Sequence, residues 1–177
     1  MRRSGALALA DDRPVLEYSV AHACRLPLLA LNKKRADMFV LDSHLAQDTL
    51  ELGDFPLCRL LLMNDANYPW FILVPRREEV SELFQLDGPD QAALWQEAVA
   101  LAETLKDTFG ADKMNVATLG NVVSQLHVHV IARRRTDPAW PAPVWGHQPA
   151  QPYSEAQIEA IRQKLKLVLT ANFRFAG

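Results

Sequence analysis

One short stretch of this chain concentrates side chains capable of chemistry: Gly120-Asn121-Val122-Val123-Ser124-Gln125-Leu126-His127-Val128-His129-Val130-Ile131. Alternate side chains of a strand share a face, so Gln125, His127 and His129 are expected to project together while Leu126, Val128 and Val130 turn to the core. Two residues of extended chain separate the histidines by about 6.5–7 Å, a span that suits gripping one small group. A neutral imidazole is a competent nucleophile near pH 7, because its ordinary pKa is about 6.5. The same pair could supply two ligands to zinc or iron, but a metal needs a third, usually His, Asp or Glu. The chain instead continues Ala132-Arg133-Arg134-Arg135. Three arginines raise the local positive potential, which opposes a cation and favours an anion. A phosphate group is thus expected ahead of a metal, and a solvated edge strand is the blander alternative.

The elements that must position this strand are legible on both sides of it. Phe39-Val40-Leu41 and Thr49-Leu50-Glu51-Leu52 read as strands, with Asp42-Ser43-His44 supplying turn chemistry between them. Cys58 to Met63 and Trp70 to Val74 are apolar runs of strand length, joined by the loop Asn64 to Pro69. Asp87-Gly88-Pro89 opens a helix in which Leu94, Ala98, Leu101, Leu105 and Phe109 recur at three- and four-residue steps, and Gly110 closes it. Lys113 to Ala117 and Gln125 to Ala132 are strand-like. Five of the 11 prolines fall between Pro138 and Pro152, which predicts an extended, irregular arm carrying Trp140 and Trp145. Ser154-x-x-Gln157 resembles a capping box and starts a last helix expected to bury Ile158, Ile161, Leu165 and Val168. Strands, a helix and strands again, with short early connections, predict an α+β fold: an antiparallel sheet of about five strands with one long helix and a C-terminal helix. No Gly-x-Gly-x-x-Gly and no Gly-x-x-x-x-Gly-Lys occurs, so the familiar glycine-rich phosphate loops are absent.

Charge and composition narrow the partners. The 177 residues carry 19 Lys+Arg against 21 Asp+Glu, a net charge of -2, and so lack the broad basic field that binds nucleic acid polymers or anionic membranes. Cys24 and Cys58 form no Cys-x-x-Cys motif and read as free thiols of a reducing compartment. No apolar run approaches the roughly 18 residues of a membrane span, which makes a cytoplasmic location the expectation. The first 37 residues hold seven basic and four acidic side chains, leaving -5 for the remaining 140. Apart from a short helix over 15–31, no period runs through them. Residues 1–37 are therefore expected to be a poorly ordered extension, or to precede a start at Met38. Residues 38–135 should form the body, with 136–177 an arm and helix packed on it.

Gln125-Leu126-His127-Val128-His129-Val130-Ile131 resembles the signature strand of the histidine triad (HIT) superfamily, His-x-His-x-His followed by two hydrophobic residues, with Gln in place of the first His. The layout from 38 to about 135 is similar as well, through Phe39 to His44, Leu60 to Asn64, Pro69 to Val74, the long helix and Gly120-Asn121. The resemblance implies a nucleotide hydrolase or nucleotidyl transferase in which His127 attacks an α-phosphorus and forms a covalent nucleotidyl-histidine. His129 would then hydrogen-bond the phosphate as charge builds, Asn121 would contact phosphates, and Asn64 would hold ribose hydroxyls. Phe39, Leu41 and Leu62 would wall the base slot. It further implies a homodimer, no obligatory cofactor, and a divalent cation only as a companion of substrate phosphates. The substrates implied are nucleoside phosphoramidates, dinucleoside polyphosphates or similar esters. Three departures stand out. Gln125, at the catalytic motif's first position, can orient phosphate or a neighbouring ring but cannot exchange a proton near pH 7, Pro69-Trp70-Phe71 replaces the usual Pro-Gly-His, and Val122 stands where some members carry a phosphate-contacting Ser. A slower or differently selective enzyme follows from these, with a nucleotide-binding protein of weak or no catalysis, or a metal-binding protein, as alternatives. The Trp140–Trp145 arm is expected either to pack over the sheet or, the favoured alternative, to reach a partner subunit and edge the pocket, and His44 is expected to be exposed.

Overall fold

A computed structural model describes residues 39–169 and 172–177. The expectations for residues 1–37, including the short helix and the start at Met38, lie outside the described residues. Among the described residues, six strands form one antiparallel sheet: β1 (Thr49–Asp54), β2 (Cys58–Met63), β3 (Trp70–Pro75), β4 (Lys113–Ala117), β5 (Val128–Arg133) and β6 (Arg174–Phe175), in the order β4-β5-β3-β2-β1-β6. A short helix α1 (Ser43–Asp48) precedes β1, the long α2 (Gly88–Phe109) lies between β3 and β4, and α3 (Glu155–Val168) follows the proline-rich arm. The α+β expectation holds, with one more strand than foreseen.

Alternation along the central strands divides their side chains between two cores. Leu60 and Leu62 of β2, Phe71 and Leu73 of β3, and Val128 and Val130 of β5 meet Leu94, Ala98, Leu101, Leu105 and Phe109 of α2 on one face. These are the five helix residues that the period picked out, and all are buried. Asp87 caps α2 by accepting from the Asp90 N–H, Pro89 occupies the first turn, and Gly110 ends the helix at φ 58°. Both Glu97 carboxylate oxygens accept backbone N–H groups, from Leu57 at 2.8 Å and Cys58 at 2.9 Å, and so tie α2 to the start of β2. Burial first, then the adjacent Glu97 carboxylate, pushes the Cys58 thiol well above its ordinary range and keeps it protonated.

The other face carries Leu61, Trp70, Ile72, Val74 and Ile131, covered by Leu45 of α1, Tyr68, and Ala139 and Val144 of the arm. Being covered on both sides explains why β2 and β3 read as continuous apolar runs. Three local expectations change. Phe39–Leu41 is not a strand, and Asp42-Ser43-His44 begins α1 instead of a simple turn, with the Asp42 carboxylate accepting the His44 N–H. The helix-like set in α3 keeps Ile161 and Leu165 buried, while Ile158 is half-buried and Val168 exposed; Leu169, just past the helix, is buried instead. The arm packs over its own sheet through Ala139, Val144 and Trp145.

Candidate active site at the two histidines

β5 begins at Val128, so only His129 of the reactive set lies within the regular strand, and Gln125-Leu126-His127 forms the extended entry to it. The entry is fixed by the Leu126 N–H, which donates to the Val80 carbonyl at 2.8 Å. His127 and His129 nevertheless share a face, with ring centroids 4.7 Å apart and planes nearly perpendicular. Both are only 5% exposed.

Each ring has a defined hydrogen-bonding state. His127 Nδ1 lies 2.7 Å from the Gln125 carbonyl oxygen, which can only accept, so in the neutral ring Nδ1 carries the proton and Nε2 the lone pair. His129 is the mirror case. The register pairs Ile72 with His129, which makes Trp70 its diagonal neighbour on the same face. The Trp70 indole N–H donates to His129 Nδ1 at 3.0 Å, so the single proton of this ring resides on Nε2. That nitrogen is buried and has no hydrogen-bond partner among the described residues. Burial first, then His127, pushes the His129 pKa down to about 3, with the nearby Leu119 backbone acting in the opposite direction. The ring is neutral throughout the physiological range.

The two histidines line an apolar cavity of about 400 Å³, walled by Leu45, Met63, Trp70, Ile72 and Trp145, with Asn121, His44, Asp48 and the 89%-exposed Val122 towards its mouth. His127 also borders a second, polar cleft of about 340 Å³ formed by Ser81, Glu82, Thr118, Gly120, Ser124 and Gln125. Leu119, Asn121 and His127 are common to both. An unprotonated nitrogen and a buried N–H donor thus converge beside an apolar chamber, an arrangement suited to attack on a phosphorus and stabilisation of its oxygens. Trp145 closes the chamber, with its ring 5.1 Å from His129 and 5.5 Å from Trp70.

The residues singled out from sequence separate into two groups. His127, His129, Asn121 and the exposed His44 come together at the cavity. Gln125 borders the polar cleft, but its amide faces the chain: Oε1 accepts the Asp42 N–H and Nε2 donates to the Val40 carbonyl, both at 2.9 Å. Asn64 lines neither cavity, because its side-chain oxygen accepts the Tyr153 N–H at 2.9 Å and ties the β2–β3 loop to the start of α3. Leu62 is a correction of register. It is fully buried against α2, on the face opposite the histidines, and the adjacent Met63 takes its place in the wall. Phe39 and Leu41 pack at the edge of the histidine-side core but line neither cavity. Phe39 lies under the Arg59 guanidinium.

The arginine triplet is a further correction, since none of the three lines either cavity. Arg133 is buried in a two-pronged pair with Asp137, at 2.7 and 3.0 Å, and donates also to Asn115 and the Ala142 carbonyl. Arg134 donates to the Phe109 carbonyl and Arg135 reaches Asp112. Among the described residues, no group of three His, Cys, Asp or Glu is placed to hold a metal ion. No described helix is long and apolar enough to cross a membrane. The sequence reading missed Trp70 as a partner of His129, together with Leu45, Ile72 and Trp145. The replacement of Pro-Gly-His by Pro69-Trp70-Phe71 was the available signal for the first.

Comparison with known proteins agrees with the fold. The HIT domain family model matches residues 45–136, just over half of the chain. Three solved structures are similar over nearly their whole lengths. A histidine triad protein from Marinobacter aquaeolei VT8 is 51% identical, with a TM-score of 0.73 over 75% of this chain and 96% of that one. One from Sinorhizobium meliloti 1021 is 45% identical, with a TM-score of 0.73 over 75% and 98%. One from Bradyrhizobium japonicum is 43% identical, with a TM-score of 0.72 over 73% and 96%. No curated protein matches the chain. The domain match and the extent of these likenesses establish that the chain belongs to the HIT family.

Proposed function

We propose that the protein is a nucleotide hydrolase or nucleotidyl transferase that works through a covalent nucleotidyl-histidine at His127. HIT membership supports the broader class, nucleotide binding with hydrolase or transferase chemistry. The observation that carries the narrower reading is the His127 tautomer. Its Nδ1–H is held by the Gln125 carbonyl, so Nε2 presents a lone pair at the junction of the apolar and polar cavities and needs no base to activate it. The His129 Nε2–H stabilises the phosphate oxygens, Asn121 contacts the phosphates, and the apolar chamber receives the nucleoside. Gln125 occupies the first position of the family's histidine motif and serves as a staple for the segment leading into α1.

Incubation with diadenosine polyphosphates and adenosine phosphoramidate, followed by intact-mass measurement, should reveal a nucleotidyl adduct that maps to His127. In His127→Ala the adduct should vanish and turnover fall on the order of 10⁴-fold or more. Undiminished turnover in that variant would remove His127 as nucleophile. Chelator-treated protein should still form the adduct, because any divalent cation enters only with the substrate's phosphates.

A second reading, a nucleotide-binding protein without turnover, draws on the engagement of both Gln125 amide atoms with the main chain. Nucleotide binding with neither adduct nor product would favour it. A homodimer also belongs to this proposal. β4 is an edge strand pairing only with β5 among the described residues, with Val116 exposed on it, and Trp95 and Val99 are exposed on α2. Sedimentation equilibrium checks the dimer.

A further inference from the structure

We propose that Trp70 is a positioning residue that locks His129 as an Nε2–H donor, and that the site consequently expels only leaving groups that depart as anions. The proposal rests on the reading of His127 as nucleophile. An indole N–H can donate but never accept. Its bond to His129 Nδ1 at 3.0 Å therefore reserves that lone pair. Making His129 an imidazolium would put a second proton on Nδ1 and set two N–H groups against each other in a buried place. The Leu119 backbone favours the charged ring, but burial and His127 outweigh it. Trp145 presents a ring on the remaining side, and the titratable groups that line the chamber with His129 are His44, Asp48 and His127.

A neutral imidazole that lost its Nε2 proton would become an imidazolate, which is out of reach near pH 7. His129 thus offers a hydrogen bond to the phosphate and no proton to the leaving group. His127 has no proton to give either. Its Nδ1–H stays on the Gln125 carbonyl while the Nε2 lone pair forms the N–P bond. The bond from phosphorus to the leaving oxygen breaks, and its electron pair leaves with that oxygen as an anion. The histidine retains the positive charge of a phosphoimidazolium. Water then attacks phosphorus, the N–P electron pair returns to Nε2, and the proton of water passes to solvent. An alkyl amine cannot depart as its anion, so P–N substrates are disfavoured against P–O substrates whose leaving group is a weak base.

The test couples spectroscopy to kinetics. In histidine-labelled protein, the nitrogen-15 shifts of His129 should show an unprotonated Nδ1 and a protonated Nε2, unchanged between about pH 5 and 8. Trp70→Phe should lose this signature, and Trp145→Phe, which removes a ring contact but no hydrogen bond, should keep it. With adenosine 5′-aryl phosphates, kcat/KM should rise about fivefold for each unit by which the phenol's pKa falls. Adenosine phosphoramidate should be the poorest substrate. Trp70→Phe should lower kcat/KM for the best ester about tenfold, as loss of a partner that fixes a histidine tautomer does elsewhere, and should flatten the leaving-group dependence. A proton on His129 Nδ1 in the unmodified protein, loss of the signature in Trp145→Phe, or equal turnover across leaving groups would overturn the proposal. The spectroscopic result holds even if Trp70→Phe does not fold. Absence of turnover with every substrate removes the nucleophile, and with it the leaving-group rule, while the Trp70 lock is decided separately by the spectra of the wild type, Trp70→Phe and Trp145→Phe.

Discussion

The sheet is closed on its two faces by different kinds of chain. On one, α2 lays five residues at helical spacing onto Leu60, Leu62, Phe71, Val128 and Val130 in a single apolar cluster. On the other, the short α1 and a proline-rich arm without regular structure cover Leu61, Trp70, Ile72 and Ile131, and the cover includes the cavity with His127 and His129. The helix side gains stability from area and shape. The histidine side includes buried polar groups whose hydrogen bonds must each be found individually, and one of them, His129 Nε2, has no hydrogen-bond partner among the described residues. The difference separates what holds the fold from what serves the reaction, and variants on each side should report on different quantities.

The largest stability effect is expected on the helix side. Leu101→Ala empties a fully buried position against the sheet and should cost about 3 kcal/mol in denaturant unfolding, with kcat per folded molecule unchanged. A comparable loss of activity at full folding would mean that the two faces are coupled. Glu97→Ala comes next. It leaves the Leu57 and Cys58 N–H groups without their carboxylate acceptor, and about 2 kcal/mol should be lost.

On the histidine side, acid should act before any mutation does. His129 is held near a pKa of about 3 in the folded protein and returns to about 6.5 when the chain unfolds. The unfolded state therefore binds a proton that the native state refuses. This contribution is fully present above about pH 6.5 and declines as pH falls towards 3, by up to about 1.4 kcal/mol per pH unit. Urea titrations at about pH 6 and 5, above the range where most carboxylates titrate, should show it. Absence of the slope would mean that His129 accepts a proton in the fold.

How much was legible follows the same division. The helix side could be read because α2 repeats one chemical pattern, has a cap at each end, and buries what its period selects. Strand parity was harder. Leu62 and Met63 differ by one place, yet one enters the helix core and the other walls the cavity, and nothing in a run apolar on both faces indicates which is which. Phe39–Leu41 carried strand-like residues, but Val40 and Asp42 bond to the side chain of Gln125, 83 to 85 positions away. No local pattern could announce that partner. The reactive pair itself was legible from spacing, whereas its tautomers depend on a carbonyl and an indole brought in by tertiary structure.

Gln125→Ala tests whether this residue is a staple or a reacting group. The variant loses both anchors of the segment into α1, so nucleotide affinity should fall about tenfold and stability by about 1 kcal/mol. The shape of the pH–rate profile should not change, since an amide does not titrate. A lost limb in that profile would show that the position takes part in proton transfer.

The smallest effect is expected at Arg135. As part of a basic triplet two strand repeats beyond the histidines, it would be a natural source of attraction for phosphate, and its side chain is 77% exposed. Exposure alone gives it little influence. Its guanidinium reaches Asp112 at 4.0 Å, and an exposed charge is screened over about 8–10 Å of salt solution. Its neighbours are engaged already, Arg133 with Asp137 and Arg134 with the Phe109 carbonyl. Arg135→Ala should therefore change stability by less than about 0.5 kcal/mol and leave nucleotide affinity the same at low and high salt. A salt-dependent drop in affinity would mean that the triplet projects its charge into the cavity, and that phosphate recognition draws on more than the neutral donors His129 and Asn121.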